Sequence, residues 1–273
     1  MIEAMKLTRR TQIAFLGIRL MGTPCWCLLS MLSFILYKNA HVSPLQIAAI
    51  VALKPATSLL SPYWSGTIYG RPDKIIANLV GANLFRYLPF LLFPWIDSVW
   101  LIILAFGLYM MLHRATIPAW IELFKHNLPE NKREQLVGYG TIVDYLGAAL
   151  ITVLVGILLD KHPESWRWLF SATAALGILS TLLLASLAPS HAPPVDSPAP
   201  FKIQEKIAKP WKQVWDLLRH RKDFTIYQIG FMLGGGGLMI MQPALPLFFV
   251  DTLNLSFVEM GLAIALCKGV GVA

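Results

Sequence analysis

APSHAPPVDSPAPFKIQEKIAKPWKQVWDLLRHRKD, residues 188–223, is the one long polar interruption of an otherwise apolar chain. Six apolar stretches precede it, at roughly 12–36, 45–65, 75–95, 98–118, 136–159 and 167–187. A seventh, about 224–250, follows it, and an eighth opens at Ser256. Each is close to the ~20 residues a helix needs to cross a hydrocarbon core of ~30 Å. The chain therefore reads as an all-α membrane protein in three parts. Residues 1–187 form an N-terminal six-span bundle, 188–223 a cytoplasmic linker, and 224–273 the start of a second bundle, with spans seven and eight only.

Composition supports this independently. Hydrophobic residues make up 56% and charged residues 14% of 273, against ~25% charged residues in soluble domains, and mean hydropathy is +0.60. A soluble bundle of buried helices would not carry so many membrane-length apolar runs. The first run exceeds a signal-peptide core, contains Arg19 and is followed by no small-x-small cleavage pattern, so it reads as a retained span.

The net charge of +8 is distributed asymmetrically. With the amino terminus inside, fifteen Lys and Arg fall on inner segments and three, Lys38, Lys161 and Arg167, on outer ones. The positive-inside rule then places the amino terminus in the cytoplasm, in a bacterial inner (plasma) membrane. The basic balance thus describes topology and anionic lipid and excludes nucleic acid as a partner.

Within the linker, Ala188–Pro200 is rich in Pro, Ala and Ser and reads as extended and mobile. The remainder differs. Trp211, Val214, Trp215 and Leu218 follow i, i+3, i+4, i+7 after Pro210, while Lys212, Arg219, Arg221 and Lys222 would face headgroups. This is the pattern of an amphipathic helix lying on an anionic leaflet.

A weak repeat crosses the linker at an offset of 213 residues. Its mechanistic content is two capping boxes, Ser43-Pro-Leu-Gln46 and Ser256-Phe-Val-Glu259, each opening an even-numbered span.

Ionisable residues inside the spans are the sharpest functional signal. Lys54 and Arg86 stand at the midpoints of spans two and three. Arg19 lies ~10 Å from the inner edge of span one, and Arg114 is nearer that edge in span four. Each central cation opposes insertion by about 2.5–3.5 kcal/mol, so such residues face a bundle interior or a watered cavity. Asp144 is the one acid well inside spans one to six, leaving a formal excess of +3. It is expected to pair with Arg114 or Arg19. Polar stripes run along three spans: Arg19, Thr23, Trp26, Ser30 and Ser33; Lys54, Ser58, Ser61 and Ser65; Tyr109, His113, Thr116 and Trp120. They are either helix contacts or cavity lining. Pro55 predicts a break at Lys54, and Gly234–Gly237, followed by Pro243 and Pro246, predicts a second break, the glycines alternatively serving close helix packing. Cys25 and Cys27 are about 200° apart on a helix and cannot share a metal. No zinc-hydrolase, nucleophile-elbow or phosphate-loop motif occurs, so no enzyme activity and no cofactor is expected.

The loop after span two reads Gly66-Thr-Ile-Tyr-Gly70-Arg71-Pro-Asp73-Lys74. It resembles the Gly-x-x-x-Asp-Arg-x-Gly-Arg-Arg/Lys hallmark of the major facilitator superfamily of secondary transporters. Gly66 and Arg71 match, Lys74 takes the first closing basic position, Gly70 stands where the family has Asp, and Asp73 where it has Gly. Arg114, Pro118 and Trp166-Arg-Trp-Leu-Phe170 are further points of similarity, whereas Leu146-Gly147-Ala148-Ala149 replaces the Gly-Pro pattern of the family's exporters. The resemblance implies a six-helix bundle of major facilitator type, followed by the first two helices of a second, with the second half truncated. It implies a central cavity lined by spans one and four and flanked by two and five. Arg19, Lys54, Arg86, Trp26, Ser58 and His113 are the candidate substrate-binding residues. Arg114, Asp144, Arg71, Asp73 and Lys74 are the candidate gating or ion-pair residues.

The function expected is secondary active transport of a small organic, anionic solute by alternating access, with H+ or Na+ as coupling ion. The alternatives are a proton-coupled exporter of amphiphilic compounds using Asp144 or His113, and a non-transporting fragment of a transporter.

Overall fold

The computed structural model describes residues 2–40, 42–68, 71–187 and 203–271, which form helices with no strand among them. The first six apolar stretches are α1 (Ile2–Ala40), α2 (Pro44–Ser65), α3 (Ile75–Leu91), α4 (Val99–Asn127), α5 (Glu130–Lys161) and α6 (Trp166–Leu179), the last continued by α7 (Thr181–Ala185). The linker contains α8 (Ile203–His220). The seventh stretch is α9 (Lys222–Met241), then α10 (Ala244–Leu247) and a π turn at Phe248–Thr252; the eighth is α11 (Phe257–Val270). Among the described residues, seven helical segments are long and apolar enough to cross a membrane. The Pro-rich half of the linker (188–202) and position 70 of the hallmark loop lie outside the described residues.

The core forms around α1, whose most apolar window is 61% buried, against 6% for the segment containing α9. α1 packs on α5, α6 and α4, while α2 and α3 pack on α4, and α3 on α6. Toward the Ala40 end, Phe90, Phe93 and Phe170 are fully buried in ring-to-ring contact, with Trp166 against them. Each aromatic buries a large apolar area, and offset or edge geometry adds about 0.5–1.5 kcal/mol per pair.

Both predicted capping boxes form. The Ser43 and Ser256 side chains accept from the backbone of Gln46 and Glu259, whose side chains return to the capping residues' own N–H groups. Two of the orphan donors at each helix start are thereby satisfied.

Of the two expected helix breaks, the first is corrected and the second narrows to its prolines. α2 runs unbroken through Pro55 and Pro62. Pro55 removes the donor to the Val51 carbonyl, yet the helix continues; in the same turn the Thr57 hydroxyl donates to the Leu53 carbonyl at 2.8 Å and Ser58 donates to the Pro55 carbonyl, so both hydroxyls are satisfied within the helix. Gly234–Gly237 lie inside continuous α9, and no described atom lies within 4 Å of a Cβ built on any of them. They therefore make neither a break nor a close contact among the described residues. The interruption falls at the prolines that follow them, at Gln242–Pro243 and the π turn after Pro246, where proline removes a backbone donor.

α11 lies along α5 with backbones nearly touching. A Cβ at Gly156 would sit 2.5 Å from the Phe257 carbonyl oxygen, and one at Gly261 would sit 2.5 Å from that of Thr152. Small residues permit this approach, as they do where membrane helices associate by packing. The Thr152 hydroxyl reaches the Gly261 carbonyl at 3.3 Å. At the Ala40 end, both Asp160 oxygens accept from the first N–H groups of α11, Phe257 at 2.8 Å and Val258 at 3.0 Å. A carboxylate there matches the positive end of the helix dipole. Lys38 donates to the Leu255 carbonyl at 2.6 Å and lies 4.9 Å from the Phe257 ring centroid, while Tyr37 donates to Asp251 at 2.6 Å.

Candidate functional site

Arg86 is 6% exposed, on the inward face of α3. Its guanidinium donates to the Tyr87 hydroxyl at 3.1 Å and contacts His113 Nδ1 at 3.4 Å. Arginine can only donate, so Nδ1 accepts and the proton of a neutral His113 ring sits on Nε2. The guanidinium carbon lies 4.6 Å from the Tyr87 ring centroid and 5.6 Å from that of Tyr109, within cation–π range. Its Nε has no hydrogen-bond partner, and no acid bonds to it among the described residues.

The surrounding helices fix this arrangement. Tyr87 fits because α1 and α6 present glycines to it. A Cβ on Gly177 would lie 2.5 Å from the Tyr87 ring, and one on Gly22 would lie 2.7 Å from its hydroxyl. His113 stacks on Trp26 of α1, with centroids 5.0 Å apart, and on Tyr109 one turn earlier in α4, at 5.8 Å and 9°. Trp26 and His113 are half-buried and form the rim of the cluster, whereas Tyr87 and Tyr109 are buried. Three helices thus enclose one cation with rings and polar atoms but no counter-charge.

The other candidates sort themselves by contact. Arg19 of α1 forms an ion pair with Asp144 of α5, both side chains being about one-third exposed, and its guanidinium lies 4.8 Å from the Phe15 ring centroid. The expected alternative, Arg114 with Asp144, does not form; Arg114 is half-buried and makes no ion pair among the described residues. The reason is rotational: Arg19 points across the α1–α5 contact at Asp144, and α4 meets α5 over a much smaller surface. Lys54 is half-buried on α2 and makes no side-chain hydrogen bond or ion pair among the described residues, and Ser58 beside it bonds back into its own helix.

In the hallmark loop, Arg71 donates to Asp73 through both arms of its guanidinium, at 3.1 and 3.0 Å. These bonds push the Arg71 guanidinium above its ordinary value. Lys74 lines a shallow cleft of about 200 Å³ with Trp64, Thr67, Ala77 and Asn78.

Sequence reasoning missed Tyr87 and Asp160. Adjacency to a mid-span Arg was the available signal for Tyr87. Asp160, at the polar end of a span, carried none.

These features define a polytopic α-helical membrane protein whose interior holds a cation with no acid paired to it among the described residues. The family model of the Major Facilitator Superfamily matches residues 14–273, and the chain belongs to that family of secondary membrane transporters. No curated protein matches it.

Proposed function

We propose that this chain takes part in secondary transport of a small organic anion by alternating access, with Arg86 as the anion-binding residue. One observation carries the reading: Arg86 is buried among Tyr87, Tyr109 and His113 without an acid. A cation held in a low-dielectric interior is costly unless paired, and an incoming carboxylate or phosphate ester would supply the missing charge. The Arg19–Asp144 pair leaves Lys54 and Arg114 as further unpaired cations in the spans, which raises the local potential for an anion. Trp26 and His113 form the door to Arg86, and their stack must swing aside to admit the ligand. In this reading Arg19 and Asp144 are structural, Arg71, Asp73 and Lys74 belong to the cytoplasmic loop, and residues 1–187 and 224–273 are parts of two halves joined by 188–223. The amino terminus is cytoplasmic.

The test is a thermal-shift screen of purified protein against inorganic phosphate, glycerol phosphate, citrate, benzoate and uncharged sugars. At least one anion should stabilise the wild type and fail to stabilise Arg86→Gln. Stabilisation by the uncharged compounds alone, or an anion response that survives in Arg86→Gln, would overturn the assignment.

A further inference from the structure

α8 (Ile203–His220) presents an apolar face that the described residues leave largely uncovered. Trp211, Val214 and Trp215 are each 47–60% exposed, and Leu218 completes the stripe one turn later. Lys212 and Arg219 lie together about 90° from the centre of this stripe, and Gln213 lies nearly opposite it, from the 100° step of an α-helix. Exposed apolar area of this kind, edged by cations, requires an apolar partner with negative charge at its margin.

Two points on α8 fix where that partner is. At one, midway along the helix, Trp211 Nε1 donates to the Tyr63 hydroxyl at 2.7 Å, close to where α2 stops at Ser65. At the other, Arg221 alone separates His220 from Lys222, the first residue of the membrane-length segment containing α9. That joint is clasped rather than slack. The Arg221 N–H reaches the Leu217 carbonyl at 2.9 Å, the Thr225 hydroxyl reaches the Leu218 carbonyl at 2.6 Å, and Arg221 grips Asp223 through both arms of its guanidinium. Trp211 and His220 are thus tethered to ends of two membrane-length helices. The nine-residue step from one to the other spans ~14 Å of helix axis. Two tethers on one membrane face lay the axis along that face.

From this geometry we infer that α8 is an interfacial helix that inserts Trp211, Val214, Trp215 and Leu218 into the leaflet, with Lys212 and Arg219 on anionic phospholipid headgroups. The indoles sit at the boundary that tryptophan favours, with an apolar ring in lipid and an N–H on the polar side, where that of Trp211 meets Tyr63. Because Trp211 is also bonded to Tyr63, the lipid that seats α8 also holds the end of α2, the helix that carries Lys54.

The test uses the full chain in nanodiscs and does not depend on transport. A spin label is placed at Val214→Cys or at Gln213→Cys, each in Cys267→Ser, since Cys25 and Cys27 are buried. In discs with 30 mol% phosphatidylglycerol in phosphatidylcholine, the label at 214 should collide with oxygen and the label at 213 with an aqueous nickel chelate. Each basic residue near an anionic surface contributes about fivefold to partitioning. The oxygen-to-nickel contrast at 214 should therefore fall severalfold in Lys212→Glu/Arg219→Glu and in pure phosphatidylcholine. A label at 214 shielded from both reagents would mean that protein covers the face. A label at 214 open to the nickel chelate in anionic discs would mean that water does. A contrast unmoved by charge reversal and lipid composition would remove the anionic headgroup. Any of these results overturns the inference, and none bears on whether Arg86 binds an anion.

Discussion

Replacing Gly156 by alanine should prise α11 off α5, and the structure sets the size of the effect. The added Cβ would meet the Phe257 carbonyl oxygen at 2.5 Å and the Val258 Cα at 2.9 Å. Both are backbone atoms, so no side-chain rotation relieves the clash, and reaching ordinary contact requires about 1 Å of helix separation. Overpacking of this kind costs about 1–3 kcal/mol. The same displacement stretches the bonds from Phe257 and Val258 to Asp160, now 2.8 and 3.0 Å, beyond useful length. Asp160 is exposed, so their loss adds about 1 kcal/mol in total rather than the full value of sheltered charged bonds. Against this stands a gain of about 0.5–1 kcal/mol from removing a helical glycine. The expected net loss is about 1–3.5 kcal/mol. Gly138, on the same helix, has nothing within 4 Å of its Cβ position, so Gly138→Ala should be neutral or slightly stabilising. Equilibrium unfolding in mixed micelles measures both variants. Equal stabilities for Gly156→Ala and Gly138→Ala would refute the close seam between α5 and α11.

Three further outcomes are expected. A double-mutant cycle on Arg19→Ala and Asp144→Ala should give a coupling of about 1–2 kcal/mol in unfolding, the pair being partly exposed, while Arg114→Ala with Asp144→Ala should give none; coupling through Arg114 would contradict the observed pairing. Gly177→Ala should displace the Tyr87 ring and so abolish any anion-induced thermal shift, as Arg86→Gln does, and a retained shift would show that Tyr87 does not hold Arg86 in place. Ser43→Ala and Ser256→Ala should each cost about 0.5–2 kcal/mol by opening a capping box, and a null effect of both on unfolding would mean that neither cap stabilises its helix.

Much of the molecule follows from sequence alone, because the properties involved are local. Twenty apolar residues have one way to satisfy their backbone in lipid, so the spans follow from composition. Ser-x-x-Glu/Gln closes within one turn, so both capping boxes were readable, and the amphipathic period of α8 shows which of its faces is apolar. The depth of Arg86 in its span also follows from counting residues. Proline and glycine content marked Pro55 and Gly234–Gly237 with Pro243 and Pro246 as breaks, yet α2 stays helical through Pro55, and in the second stretch the glycine run is helical and the prolines interrupt. The tertiary structure decided which side chains meet. Arg19 and Arg114 were equal suitors for Asp144 on paper, and the rotation of α1 against α5, across 125 residues of sequence, chose Arg19. The ring enclosure of Arg86 needs Trp26, Tyr87 and His113 from three helices together with glycines on α1 and α6, and Asp160 finds its N–H partners 97 residues away. A helix period specifies a face, but the neighbour that face meets is set by interhelical rotation and closeness of approach, which side-chain volumes across the whole bundle determine together.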